Sequence, residues 1–216
     1  MNNKPRWPIV LFDLDGTLAN TIPLIIASYQ HTFRKMHGIE VNETEAKSWI
    51  GRPLLDFFEE NYPEQGASLT AEYRAWNEAH IEELIESYDG TAELCDELVS
   101  AGLRVGVVTS KMRHMAKWTM ELTGFGDGVE LLVGTEDTHA HKPNPEPLLR
   151  ALEMLDATPE DAIYVGDAIF DIQAAQAAGM EAIAVTWGAG HVDALEAQNP
   201  DYLVNTVAEL RELLLG

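Results

Sequence analysis

Asp13 and Asp15 stand two residues apart at the end of the apolar run Ile9–Phe12 and are followed by Gly16, Thr17 and Leu18. An apolar run of this length reads as a buried strand, and side chains two apart on a strand point to the same face. The two acids therefore start out as neighbours. Like charges so placed raise each other's pKa unless a cation lies between them, so the pair calls for a metal ion, a shared proton, or both. Gly16 lets the chain turn sharply out of the strand. An Asx turn explains one Asp-Gly pair in this position, but it leaves the first acid without a role.

Further apolar runs recur downstream with helical patterns between them, as in a parallel α/β sheet. Strands are expected at 104–108, 129–133, 162–165, 182–185 and 202–204, and helices at 91–101, 112–123, 145–155 and 169–178, the last stopped by Gly179. The stretch from about Thr21 to Ser87 breaks this rhythm: it is helical in pattern, rich in Glu and holds Trp49 and Trp76. It reads as an inserted helical domain. Pro23 and the Asp89-Gly90 pair interrupt periodicity and mark hinges at 19–23 and 87–90. Trp49, Trp76 and Trp118 are expected to pack rather than to recognise a ligand.

The chain has 216 residues, enough for one sizeable core with a smaller appendage. Its 36 acidic and 14 basic residues give a net charge of -22. Nucleic acid and anionic membranes are thus excluded as expected partners, because phosphate backbones are bound by clustered Lys and Arg. Cys95 is the lone cysteine; it lies in a helical pattern and suits a structural place in a reducing, cytoplasmic compartment. No apolar run reaches membrane-spanning length and no signal-like segment is visible, while Met1–Pro8 reads as a loose lead into the first strand. A monomer or homodimer is expected.

In open α/β sheets ligands gather beyond the carboxyl ends of strands. Three such places carry chemistry. Thr109-Ser110-Lys111 offers hydroxyl and N–H groups for phosphate oxygens, although Ser and Thr are also ordinary helix caps. Lys142 sits among Pro143, Pro145 and Pro147, which fix the local backbone; His139 and His141 beside it have no partners for a zinc site. Asp167 ends a strand, and Asp171 lies four residues on, which turns it back toward Asp167 if a helix starts between them.

Asp13-Leu14-Asp15-Gly16-Thr17-Leu18 resembles the first signature of the haloacid dehalogenase-like (HAD) hydrolases, whose phosphatases carry DxDGT[LV]. Thr109, the Lys142-Pro pattern and Gly166-Asp167 with Asp171-Ile172 resemble the second, third and fourth signatures, in family order. The resemblance implies a Rossmann-like parallel-sheet core (HAD-like), residues 1–19 and 89–216, with an inserted α-helical cap domain, residues 20–88. It also implies that Asp13 attacks phosphorus, Asp15 is the general acid and base, Thr109 and Lys142 hold the phosphoryl group, and Ser110 lends its N–H. Mg²⁺ is the expected cofactor, with Asp13, Asp167 and the carbonyl of Asp15 as ligands and Asp171 acting through water. Arg52, in a Gly-Arg-Pro turn, faces either an anionic leaving group or solvent; Lys111 and Arg113 are further candidates to gather anions.

The implied activity is that of a phosphoglycolate phosphatase-like enzyme acting on a small phosphorylated metabolite. An inorganic pyrophosphatase, a sugar-phosphate phosphatase and a β-phosphoglucomutase-like phosphotransferase share the core signatures. A catalytically silent scaffold would be expected to have lost an acid or the Lys. Dehalogenases of the superfamily lack an acid at the place of Asp15.

Overall fold

The computed structural model describes residues 6–216. The part of the expected lead that precedes residue 6 lies outside the described residues. Six parallel strands form the sheet: β1 (Ile9–Phe12), β4 (Arg104–Val108), β5 (Val129–Val133), β6 (Ala162–Gly166), β7 (Glu181–Val185) and β8 (Tyr202–Val204), in the order β5-β4-β1-β6-β7-β8. Alternation along β1 explains why helices cover both faces. Val10 and Phe12 pack with Leu94, Leu98 and Leu210 on one side, and Ile9 and Leu11 with Leu148, Leu152 and Ile172 on the other. The first side carries α5 (Thr91–Ser100), α6 (Arg113–Leu122) and α10 (Val207–Leu215); the second carries α7 (Glu146–Met154), α8 (Ile169–Ala178) and the short α9 (Val192–Glu196). The expected strands and helices of this layer all form, with ends differing by a residue or so.

Chain order reverses at β1, which lies between β4 and β6. The crevice at such a switch point opens beyond the strands' carboxyl ends. Asp13, Thr109 and Asp167 each directly follow one of these three strands, so the topology alone delivers them to one place.

Between β1 and β4 run α1 (Ile22–His37), α2 (Glu43–Lys47), α3 (Leu54–Asn61) and α4 (Gly66–Leu84). They bury a cluster of their own, with Tyr29, Phe33, Phe57, Phe58, Leu69 and Tyr73 at its centre. Entry and exit of this segment are joined as an antiparallel ribbon, β2 (Ala19–Asn20) against β3 (Glu86–Ser87), pairing Ala19 with Ser87 and Asn20 with Glu86. Pro23 does not interrupt the chain here. It occupies the first turn of α1, where its missing N–H is no loss. Cys95 is buried and unpaired, its thiol pushed up to about 12 by burial. Among the described residues no helix is long and apolar enough to cross a membrane.

Candidate active site

Asp13, Asp167 and Asp171 converge: each offers a carboxylate oxygen within 4.8 Å of the others, and all three side chains are buried. Lys142 is buried among them. Its ammonium donates to Asp171 Oδ1 at 2.6 Å and to Tyr164 Oη at 3.0 Å, and lies 3.0 Å from Asp13 Oδ1. Tyr164 in turn donates to the carbonyl of Val108 at 2.8 Å. The tyrosine thus ties the Lys142 loop to the end of β4.

Each acid is aimed by a local device. Asp167 accepts from the Thr17 hydroxyl at 2.9 Å and from the Ala189 N–H at 2.7 Å. Asp171 sits in the first turn of α8 and accepts from the Ala168 N–H at 2.9 Å, which also caps that helix. Asp15 Oδ1 accepts from the Thr21 hydroxyl at 2.6 Å and from Lys111 Nζ at 2.7 Å. Glycines permit this crowding. A Cβ at Gly16 or Gly188 would collide with the Asp167 carboxylate, and one at Gly166 with that of Asp171. Gly16 also has φ +85°, a conformation that side chains other than glycine's rarely allow.

Asp13 Oδ1 is the odd atom out: it is buried and makes no hydrogen bond, its contact with Lys142 being ionic. Burial pushes the Asp13 carboxyl up, opposed by Lys142 and reinforced by Asp171 and Asp15. Asp167 is pushed up for the same first reason, and by Asp171 and Asp13. Lys142 is held well above the ordinary ammonium range, the two acids beside it outweighing its own burial. An ion pair alone would lower both carboxylates, so one ammonium is too little positive charge for the cluster. Three carboxylates against one ammonium leave a formal excess of two negative charges, the charge of one divalent cation. An all-oxygen donor set of carboxylates suits a hard cation. The residues present fit such an ion.

Beside the cluster lies a pocket of about 490 Å³, floored by Asp13, Asp15, Thr109, Ser110 and Lys111. Its far wall comes from the helical segment, with Tyr29, Trp49, Arg52 and Tyr73. Thr109 is buried directly after β4, one residue past a register shift at Val107–Val108, and its hydroxyl accepts from the Lys111 N–H at 3.2 Å. The hydroxyl thus closes a local turn ahead of α6 and does not cap the helix, whose cap residue is Met112. Lys111 is brought to the pair of acids by its contact with Asp15.

Other expectations are changed. Arg113 is not available to gather anions: its guanidinium donates to the carbonyls of Leu131 and Leu132 and pairs with Asp137, away from the pocket. Arg52 does line the pocket, yet it is paired with Glu60 and lies over the Phe57 ring. His141 lines the pocket, whereas His139 is exposed. Trp49 packs against Tyr29 and Phe57 and also lines the pocket.

Tyr164, Thr17 and the Gly188–Gly190 loop were not singled out by the sequence reading. The loop had a readable signal: two glycines flanking one residue just after β7, at the same sheet end as Asp167. Tyr164 had none, because an aromatic residue inside an apolar strand reads as core.

A parallel sheet with three buried acids and a lysine gathered near its switch point has the architecture of an α/β enzyme. Residues 10–185 match the family profile of haloacid dehalogenase-like hydrolases. The pyrophosphatase PpaX of Bacillus cereus is 37% identical over 209 residues, covering 97% of each chain. PpaX of Bacillus mycoides is 37% identical over 205 residues, 95% of each chain. A crystal structure from Clostridium acetobutylicum, described as a predicted phosphatase, superposes with a TM-score of 0.88 at 28% identity, covering 97% of this chain and 98% of that one. The chain belongs to the haloacid dehalogenase-like hydrolases, and within them it is a phosphatase.

Proposed function

We propose that the protein is a Mg²⁺-dependent phosphatase that hydrolyses a small phosphomonoester through an aspartyl-phosphate on Asp13. The observation that carries this reading is Asp13 itself: a buried carboxylate oxygen without a hydrogen bond, 3.0 Å from a buried ammonium and opening on the pocket. An oxygen left unsolvated and unbonded is a poor structural choice and a good nucleophile.

In this reading the phosphoryl group rests among Thr109, the N–H groups of the Ser110 turn and Lys142, which offset its charge. Asp13 attacks in line. Asp15, held by Thr21 and Lys111, gives a proton to the leaving oxygen and later takes one from the water that cleaves the intermediate. Asp13, Asp167 and the carbonyl of Asp15 would hold Mg²⁺, with Asp171 acting through water. Bound there, the ion supplies positive charge to the phosphoryl oxygens and to the three acids. Residues 20–88 act as a cap over a core made by 1–19 and 89–216, and the chain works in the cytoplasm, a place that its one buried free cysteine supports.

A second reading, inorganic pyrophosphatase, is favoured by the PpaX relatives. Phosphate release from phosphoglycolate, pyrophosphate, sugar phosphates and nucleotides, with Mg²⁺ or with EDTA, tests both. Metal-dependent release from a phosphomonoester above pyrophosphate is expected; preference for pyrophosphate selects the second reading, and release that EDTA does not affect rejects the metal.

A further inference from the structure

The pocket, at about 490 Å³, is larger than a second phosphate group needs. Its far wall is aromatic: Tyr29 meets Trp49 edge-on at 5.1 Å and Tyr73 at 4.9 Å between ring centroids. Charge on that wall is balanced rather than positive. Arg52 and Arg74 stand against Asp56 and Glu78, and Arg52 is further engaged by Glu60. An anionic leaving group, whether a phosphate or a carboxylate, is matched by a surplus of cations, which this wall lacks.

We propose that the wall formed by Trp49, Tyr29 and Tyr73 receives an uncharged organic leaving group with a flat, apolar body, so that the substrate class is an aryl or similarly planar phosphomonoester. The proposal rests on the phosphatase reading and narrows it. Apolar walls with a few placed polar groups are the usual composition of small-molecule sites. Trp49 is only partly buried and has ring surface left to offer, whereas Tyr29 is nearly fully buried. Tyr29 lines the same space, and burial pushes its hydroxyl's pKa up in spite of Arg52, which leaves it neutral. Flat aromatic groups gain both from area removed from water and from edge or offset contact with such rings.

Binding is tested without the leaving group's own reactivity by comparing phenylphosphonate and methylphosphonate as competitive inhibitors of the Mg²⁺-loaded enzyme. The two share the phosphonate and differ in the ring. Phenylphosphonate is expected to bind at least about tenfold more tightly, and Trp49→Ala to remove most of that difference while methylphosphonate changes less than about twofold. Trp49→Phe, which keeps a ring in the wall, is expected to keep the preference and guards against a folding defect. Equal inhibition by the two phosphonates, or an equal loss for both in Trp49→Ala with a native near-ultraviolet circular dichroism spectrum, overturns the proposal while phosphatase turnover persists. Absence of phosphate release from every ester in the panel would instead overturn the phosphatase reading and take this inference with it.

Discussion

The two sides of the pocket are built on opposite terms. On the sheet side the acids are pinned: Asp167 by Thr17 and the Ala189 N–H, Asp171 by Lys142 and the Ala168 N–H, and Lys142 by three partners, all below 6% exposed. On the helical side the charged contacts are ion pairs partly open to solvent, and the buried contacts are mainly rings on rings, with Asn77 donating to Ser28 as a buried polar link. Fixed dipoles and charges cost no reorganisation during a reaction, so a pinned cluster suits chemistry that is the same for every substrate. Ring surfaces give area without fixed geometry, so they suit selection among leaving groups. On the proposed function, the difference assigns reaction and preference to separate parts of the sequence, and each should then be alterable without the other.

The largest expected effect comes from the sheet side. Asp13→Asn removes the oxygen proposed to attack phosphorus and leaves the shape of the side chain. Turnover should fall by at least about a thousandfold. The fold should survive, because burial above all, and then repulsion from Asp171 and Asp15, already oppose the charged carboxylate, against the attraction of Lys142. Phosphate release beside a circular dichroism melt in EDTA checks both. Activity within tenfold of wild type would break the contrast, since the catalytic load would then lie elsewhere.

Next in size is Gly188→Ala. This glycine has an ordinary backbone conformation, so the substitution adds only a methyl group, aimed at the Asp167 carboxylate. Displacing that acid should lower Mg²⁺ affinity or activity by about 10–100-fold, the range found when support around a metal ligand is disturbed. Overpacking should cost about 1–3 kcal/mol of stability. A Mg²⁺ titration of activity separates the two effects. Wild-type Mg²⁺ dependence in this variant would mean that the position of Asp167 matters little to the ion.

How far these parts were readable follows from how local their signals are. The spacing of Asp13 and Asp15, the alternation along β1, and the acid four residues after Asp167 are short-range patterns, and the structure builds the expected elements around them. The β2–β3 ribbon escaped because two residues per strand carry no period. The hydrogen bond from Ala189 to Asp167 joins residues 22 apart through bare backbone, which no side-chain pattern announces. Arg113 misled for a related reason. A cation next to a phosphate-binding turn looks available until the carbonyls of β5, brought alongside by sheet pairing, claim its donors.

Arg52 sharpens the comparison from the helical side. Its pair with Glu60 is solvent-exposed on the acid's side, a setting in which such pairs contribute ~0–1 kcal/mol. Arg52→Ala should therefore melt within that margin of wild type. With an uncharged leaving group, KM for the preferred ester should change by less than about threefold and kcat should hold. A KM increase beyond about tenfold, with the melt unchanged, would mean that Arg52 leaves Glu60 to meet an anion, and the balanced-charge account of the wall would fail.

The smallest effect concerns how the helical segment holds itself together. Glu72 on α4 accepts from Lys35 and lies 2.8 Å from His31 Nε2, joining α4 to α1. Hydrogen bonding from Lys35, then from His31, keeps its carboxyl below the ordinary carboxylate value of 4.5. A carboxyl lowered in the folded state contributes stability that is complete above the unfolded value and disappears as pH falls through the folded one. Glu72→Gln should thus lower the melting temperature at neutral pH by an amount equivalent to ~0–1 kcal/mol, and the gap from wild type should close in acid, below the ordinary carboxylate range. Because Glu72 is absent from the pocket lining, kcat and Mg²⁺ dependence should not move. Melts of the two proteins across that pH range, with turnover measured at neutral pH, would show whether the helical segment can be loosened while the acids under it keep their arrangement; a fall in kcat matching the fall in stability would show that the two sides of the pocket are not separable after all.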